Sequence, residues 1–175
     1  MQGEPAGAFR VNERDPLHIR AARKEDCATI LHFIRELAEY EKLLHAVVAT
    51  EAELSRTLFG PRPGAEILIA EWQGTAAGFA LFFPNYSTFL ARPGIYLEDL
   101  FVLPQFRGNG IGLGLLRSLA KIAVDRDCGR LDWSVLDWNE PAIRFYLGIG
   151  ARALDDWTQY RLDGASLRRM AGKPD

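Results

Sequence analysis

The sequence predicts an α/β fold in which helices flank both faces of a central sheet that is mixed and largely antiparallel. Apolar residues alternate in some segments and recur at helical spacing in others, in the order β-α-α-β-β-β-α-β-α-β. A half-buried sheet and an amphipathic helix each have an apolar side, and packing them together buries both. The 175 residues suit one domain. We expect it over residues 17–170, after a flexible extension (1–16) and before a short tail (171–175).

In the first half, Ile30 and neighbouring apolar residues recur at helical spacing. Thr50 followed by Glu53 is the pattern of a capping box and predicts a helix start. Gln73 and Gly74 separate two apolar runs and predict a hairpin turn. The predicted elements are a strand at 17–21, helices at 25–44 and 51–59, strands at 66–72 and 76–83, and a loop at 84–94.

In the second half, Pro104 ends a strand and glycines open a long helix. Asn139 is a favourable N-cap, and Pro141 is favourable in a first helical turn. The predicted elements are strands at 95–103, 130–136 and 157–162, helices at 108–126 and 139–147, and a further helical turn within 164–170.

The composition excludes several classes of function. A net charge of −2 gives no basic face for nucleic acid. No apolar run approaches the ~20 residues that cross a bilayer, and the first residues lack the apolar core of a signal peptide. Cys27 and Cys128 form no motif, and the three histidines are scattered, so neither a metal site nor a disulfide framework is predicted. We expect a cytoplasmic protein without a membrane or nucleic-acid partner.

The most informative segment is a glycine-rich turn between a strand and a helix, at residues 107–112. Backbone N–H groups at a helix start have no intrahelical partners, and the helix dipole adds positive potential there. Glycines let a phosphate approach the backbone, and Arg107 adds charged donors. The turn therefore predicts a diphosphate site.

Other interpretations of the turn are weighed by spacing and position. Gly108, Gly110 and Gly112 do not have the spacing of a dinucleotide fingerprint, which would also follow the first strand of its unit. A triphosphate loop needs a Gly-Lys-Ser/Thr sequence, and the turn has no lysine. A tight turn into a core helix remains an alternative.

The turn resembles the Arg/Gln-x-x-Gly-x-Gly/Ala signature of the GNAT superfamily of N-acetyltransferases, in which it binds the pyrophosphate of acetyl-CoA. Residues 37–41, 96–99, 135–141 and 145–151 are similar to the diamine acetyltransferase branch, which includes spermidine/spermine and thialysine acetyltransferases. The resemblance covers about residues 19–162. It implies acetyl-CoA as co-substrate, no metal, a small amine as substrate, and a homodimer.

The resemblance also implies a set of cofactor contacts. The strand end would offer its backbone to the pantetheine arm, the turn would hold the pyrophosphate, and the start of the later helix would contact the CoA. Asn139 can be a plain N-cap as well. The implied residues are Leu100, Phe101, Val102, Arg107, Gly108, Asn109, Gly110, Ile111, Gly112, Leu113, Asn139, Pro141 and Ala142.

Tyr146 matches the family tyrosine that protonates the departing thiolate, although a core tyrosine beside Phe145 is an alternative. Neighbouring residues on a regular strand point to opposite faces, so only one of Glu98 and Asp99 reaches a cleft easily unless a bulge intervenes. The resemblance favours Glu98 as substrate ligand and base, with Asp99 secondary. A solvated acidic pair remains the other possibility.

Tyr40, Glu41 and Tyr86 match positions near the amine, and the first two can also be the polar end of a helix. The polyamine enzymes place an Asp after the tyrosine that corresponds to Tyr86. Here Ser87 occupies that position, which favours a lysine-like or short diamine substrate over spermidine. A peptide terminus stays open as a substrate, and a CoA-binding or nucleotide-binding sensor without catalysis is the alternative function.

Overall fold

The structure, a computed structural model, describes residues 16–173. The predicted extension at 1–16 therefore lies outside the described residues apart from Pro16, as does the end of the tail, and the predicted domain bounds remain predictions. Two compact units divide the chain, one ending at Ser134 and the other beginning at Val135. The first unit contains the sheet, and the second contains two helices.

Five strands form one sheet in the order β1-β2-β3-β4-β5, and the first three pairings are antiparallel while β4 and β5 run parallel. The mixed, largely antiparallel sheet predicted from the sequence is confirmed. The strands are β1 (Leu17–Ala21), β2 (Glu66–Trp72), β3 (Thr75–Ser87), β4 (Arg92–Val102) and β5 (Leu131–Trp133).

The helices are α1 (Cys27–Tyr40), α2 (Glu51–Leu58), α3 (Ile111–Asp125), α4 (Glu140–Gly148) and α5 (Gly164–Met170). Ile69, Phe79 and Phe101 lie on one face of the sheet and share a core with α1 and α2. Leu17 and Ile19 lie on the other face, so close to Gly114 of α3 that a side chain there would meet both. The predicted helices on both faces are confirmed.

Local sequence signals explain several helix ends. Thr50 Oγ1 accepts from the Glu53 N–H, and the Glu53 side chain accepts from the Thr50 N–H, which is the predicted capping box. Asn139 Oδ1 accepts from the Ala142 N–H at 3.4 Å and starts α4 as expected. The α1 helix is shorter than predicted, because Lys42 adopts a left-handed conformation (φ 62°) and ends it.

Two other predictions are wrong. The loop expected at 84–94 is mostly strand, because β3 continues to Ser87 and β4 begins at Arg92. Pro84 is tolerated because β2 pairs with β3 only as far as Phe82, so that edge of β3 needs no donor from Pro84 within the described sheet. The last predicted strand, at 157–162, is not formed in the structure, since a strand needs a partner as well as a suitable composition.

Candidate active site

A β-bulge interrupts β4 at the acidic pair predicted to bind the substrate. Leu81 of β3 pairs with Asp99, and the next residue, Phe82, pairs with Leu97, so Glu98 is the extra residue on β4. Asp99 therefore lies on the face of its partner Leu81, which packs against the core beneath α1. A regular strand would have put Asp99 on the opposite face from Glu98, and the bulge removes that restriction.

Asp99 forms an acidic cluster with Glu98 and Glu41. Burial, together with the negative charges of Glu98 and Glu41, raises the pKa of Asp99 to about 6. Burial also raises the pKa of Glu41. These three carboxyl groups, which we call the acidic cluster, come from the end of α1 and from the bulge. Perturbed carboxyl pKa values are typical of catalytic sites.

The end of α1 places Tyr40 and Glu41 beside this part of the sheet. Leu43 N donates to Ala38 O at 2.7 Å, which closes the helix after the left-handed Lys42. A carboxylate at the C-terminal, negative end of a helix is unfavourable, so Glu41 does not serve the stability of α1. Left-handed non-glycine residues cost energy and often lie near functional sites.

Beyond the bulge, β4 has an edge that faces no strand. The ladder with β5 covers Ile95, Tyr96 and Leu97. Leu103 N donates to Ala77 O on β3, so the alternating backbone groups of Leu100 and Val102 point away from β3. Among residues 16–173, no strand pairs with that edge of β4. An extended ligand could add there as a strand does.

The glycine turn follows directly after this edge. Gly108 and Gly110 have φ values of 82° and 75°, and among the described residues a Cβ at either position would have no atom within 4 Å apart from its chain neighbours. Gly110 is the N-cap of α3, so no capping side chain covers the amide groups of Ile111, Gly112 and Leu113. Asn109 Nδ2 donates to Phe106 O at 3.0 Å and holds the turn from within. The space and the donors fit a phosphate group.

Arg107, which the resemblance assigns to the phosphate site, directs its side chain back toward β4 and α1. Its Nε donates to Val102 O at 3.0 Å, and its Cζ lies 5.0 Å from the ring centroid of Tyr40 and 5.6 Å from that of Phe101. The guanidinium is thus packed between the end of β4 and the end of α1.

Tyr86 is not brought to the acidic cluster within the first unit. It pairs with Pro93 near the end of β3, five residues beyond Leu81, the partner of Asp99 (86 minus 81). At about 3.3 Å per residue this separation is about 16 Å. The Tyr86 side chain is 60% exposed.

The remaining predicted residues belong to the second unit. Asn139, Pro141 and Ala142 form the start of α4, and Tyr146 lies two turns further along the same helix. The Tyr146 ring contacts that of Phe145 at 5.4 Å between centroids. Burial raises the pKa of the Tyr146 hydroxyl above its ordinary value, so the group is neutral at pH 7.

No set of His, Cys, Asp or Glu side chains in residues 16–173 is arranged to hold a metal ion. Over the same residues, no helix has both the length and the apolar character to span a membrane.

Comparison with known proteins identifies the family. The model of the acetyltransferase (GNAT) family matches residues 30–150. The chain is 39% identical to thialysine N-epsilon-acetyltransferase of Mus musculus, over 89% of this chain and 97% of that protein. It is 33% identical to L-ornithine N5-acetyltransferase of Arabidopsis thaliana, over 87% and 86% of the two chains.

Among solved structures, an integron cassette protein from the mobile metagenome of V. cholerae matches with a TM-score of 0.76 at 30% identity. That alignment covers 90% of this chain and 98% of the cassette protein. The fold and the sequence thus agree, and they favour an enzyme over the alternative of a sensor without catalysis. The chain belongs to the acetyltransferase (GNAT) family, in its diamine acetyltransferase branch, and is an N-acetyltransferase.

Proposed function

We propose that this enzyme transfers the acetyl group of acetyl-CoA directly to the side-chain amine of a small lysine-like amino acid or a short diamine. The observation that carries the proposal is the position of the acidic cluster at the bulge of β4, just before the open edge and the glycine turn. Thialysine and ornithine, named for two relatives, are both amino acids with a side-chain amine.

Acetyl-CoA, when bound, supplies an activated acetyl thioester. The backbone groups of Leu100 and Val102 on the open edge fit the pantetheine arm, and the amide groups at the start of α3 fit the pyrophosphate. Asn139, Pro141 and Ala142 are proposed as further CoA contacts. Backbone N–H groups near the open edge would stabilise negative charge on the reacting carbonyl oxygen.

The acidic cluster would bind the cationic amine and take up its proton. An alkylammonium with a pKa near 10.4 is neutral in only about one molecule in 2,000 at pH 7. Asp99, with a pKa of about 6, is ionised at pH 7 and above and accepts a proton more readily than an ordinary aspartate. We therefore place Asp99 first as the base, direct or through water, and Glu98 and Glu41 as ligands of the ammonium group.

Tyr146 is proposed as the group that supplies a proton to the departing sulfur. The hydroxyl is protonated at neutral pH and so is available as a donor, and burial raises its pKa further above the ordinary tyrosine value. Tyr146→Phe should lower kcat and leave the Kd for acetyl-CoA unchanged. A Tyr146→Phe enzyme that keeps most of its kcat would remove this residue from the mechanism.

A homodimer is part of the proposal. Trp157 and Tyr160 are 75% and 93% exposed, in the segment that the sequence predicts as a strand, and Phe89 in the β3–β4 turn is 95% exposed. Large exposed aromatic side chains support self-association. A second copy would also give Tyr86 a route to a substrate site that it does not reach in its own unit. Sedimentation as a monomer at micromolar concentration would contradict this part.

The glycine turn provides the test of the proposed activity. Acetyl-CoA should raise the melting temperature more than NAD or ATP at equal concentration, and thiol release should depend on an added amine. Gly110→Glu should abolish the acetyl-CoA shift, because it puts charge and bulk where the phosphates bind.

Gly74→Glu is the matched control for Gly110→Glu. Gly74, in the β2–β3 turn, also has a positive φ (82°), and within residues 16–173 a Cβ there would have no atom within 4 Å apart from its chain neighbours, so both variants carry comparable backbone strain. Gly74→Glu should keep acetyl-CoA binding. Equal shifts from the three nucleotides, or normal acetyl-CoA binding by Gly110→Glu, would overturn the cofactor assignment. Candidate amines for the assay are thialysine, ornithine, lysine and a short diamine.

A further inference from the structure

Arg107 connects two parts of the first unit that serve different substrates in the proposed reaction. The residue is the first of the glycine turn, and its side chain folds back toward the end of β4. Its Nε donates to Val102 O, and the guanidinium lies over the rings of Tyr40 and Phe101. Phe101 is buried in the core, whereas Tyr40 is in the last turn of α1.

We infer that Arg107 is a positioning residue that fixes Tyr40 and the end of α1 against the open edge of β4, and so shapes the amine site. This inference rests on the proposed function and departs from the role of a pyrophosphate ligand implied by the family signature. The residue acts through Tyr40 and the adjacent Glu41, and it need not touch the amine itself.

The geometry of the guanidinium supports this role. The group is planar and rigid, and the hydrogen bond from Nε to Val102 O fixes one edge of the plane. Contacts with the rings of Tyr40 and Phe101, at 5.0 and 5.6 Å, are within the range of cation–π attraction. A lysine has neither the planar fork nor the Nε donor, so it cannot make both kinds of contact at once.

The end of α1 is where such support has an effect. The last turns of helices fray, and α1 ends at a left-handed Lys42. Tyr40 and Glu41 belong to that last turn, and Glu41 contributes to the acidic cluster. Holding the Tyr40 ring therefore also holds one of the three carboxyl groups that face the ammonium.

The hydrogen bond to Val102 has a second consequence. The backbone of Val102 points to the open edge of β4, and its carbonyl already accepts from Arg107. The donors at the start of α3 are backbone amide groups, so the phosphate site does not require the Arg107 side chain. The same guanidinium thus occupies the Val102 carbonyl on the open edge of β4 and holds the end of α1 beside the proposed amine site.

Kinetics of three single variants and one double variant test the inference. Arg107→Gln and Tyr40→Leu should each raise the KM for the best amine about tenfold, the size of one lost cation–π contact or charge-assisted hydrogen bond. The Kd for acetyl-CoA should change less than about twofold. Arg107→Lys should keep the raised amine KM, since charge alone does not restore the contacts. The double variant Arg107→Gln/Tyr40→Leu should have an amine KM no higher than that of either single variant, because the two substitutions remove the same interaction.

Arg117→Gln is the control, since Arg117 is an exposed arginine on α3 in the same unit. It should leave both constants unchanged. A rise in the acetyl-CoA Kd with an unchanged amine KM, restored by Arg107→Lys, would make Arg107 a pyrophosphate ligand and overturn the inference. Equal changes in both constants, or no change in either, would also overturn it.

Hydrogen exchange separates this inference from the proposed reaction. Loss of the Arg107 contacts should increase amide exchange about tenfold in residues 37–43, while exchange in α3 stays the same. This readout needs no substrate. An enzyme inactive toward every amine would end the proposed function, whereas unchanged exchange in Arg107→Gln would end the positioning role.

Discussion

Two groups of charged side chains in the first unit differ in how their charges are arranged. One pairs opposite charges, and the other holds like charges together. Arg20 of β1 lies between Asp26, at 2.7 Å, and Glu71, at 2.8 Å. Its hydrogen bonds hold the pKa of Asp26 below the ordinary value. In the acidic cluster, burial and neighbouring negative charges raise the pKa of Asp99 to about 6.

The difference separates charges that stabilise the fold from charges available for chemistry. Arg20 joins β1, β2 and the segment before α1, and each of its partners accepts from it directly. In residues 16–173, no comparable arginine or lysine forms an ion pair with Asp99. Opposite charges that pair in the folded protein stabilise it, whereas like charges that are held close together destabilise it. The acidic cluster therefore costs stability, and the structure retains it where a cation can supply the missing partner.

The largest expected effect is the loss of activity in Asp99→Asn. The change removes the proposed proton acceptor with little change of shape, so kcat/KM should fall by about 10²- to 10⁴-fold. In the wild type, kcat/KM should fall as the pH drops through about 6, because Asp99 becomes protonated. The residual activity of Asp99→Asn should lack this acidic limb. The measurement is a pH profile of kcat/KM with a saturating acetyl-CoA concentration.

Glu98→Gln is the comparison for Asp99→Asn. It removes a negative charge from the same bulge, so it should raise the KM for a cationic amine, and the acidic limb should persist at a shifted pH. If Glu98→Gln lost more activity than Asp99→Asn and abolished the acidic limb of the pH profile, Glu98 would be the base and Asp99 the ligand of the ammonium group.

Periodicity and local signals were sufficient for most of the fold. The capping box at Thr50, the turn at Gln73–Gly74 and the glycines before α3 each depend on neighbouring residues, and all were located correctly. The strand predicted at 157–162 failed because pairing depends on distant residues. The loop predicted at 84–94 failed because turn-forming residues do not reveal which edge of a strand is unpaired.

For the candidate site, the sequence indicates residue types and says less about their geometry. The signature at residues 107–112 predicts a phosphate site, and the resemblance to the family predicts that the acidic pair faces the amine; both stay predictions. The bulge that puts Asp99 on the α1 side depends on how β3 and β4 align, which single-sequence spacing does not reveal. The contact of Arg107 with Tyr40 joins residues 67 positions apart (107 minus 40), and no local pattern records it.

Removal of Arg20 from its group with Asp26 and Glu71 should have a smaller effect, which is a loss of folding stability. Arg20→Met leaves Asp26 and Glu71 without their partner in a half-buried position, which should cost about 2 kcal/mol, between the values for exposed and buried pairs. Because the pKa of Asp26 is lowered in the folded state, this stabilisation is present above the unfolded pKa and is lost as the pH falls through the folded value. Denaturant unfolding at pH 7 and pH 3 should show the difference shrinking at the lower pH.

The control for Arg20→Met is a more exposed pair of the same chemistry. Arg126 contacts Glu66 through both nitrogens, and both side chains are 45% exposed. Arg126→Met should cost less than about 1 kcal/mol because water screens the pair. An equal loss in the two variants would show that Arg20 has no special role in joining its three elements.

The last expected effect is a gain of stability in the variant that loses the most activity. The pKa of Asp99 is higher in the folded protein than in the unfolded chain. The contribution of Asp99 to folding stability is therefore fully present below about pH 4 and is lost as the pH rises through about 6. Asp99→Asn removes this penalty and should be more stable than the wild type by about 1 to 3 kcal/mol at pH 8. The advantage should shrink at pH 5, where most of the wild-type Asp99 is protonated. Asp155→Asn, at an exposed aspartate, should show no gain at either pH. If Asp99→Asn were less stable than the wild type at pH 8, the acidic cluster would be part of the scaffold, and its contrast with the Arg20 group would not hold.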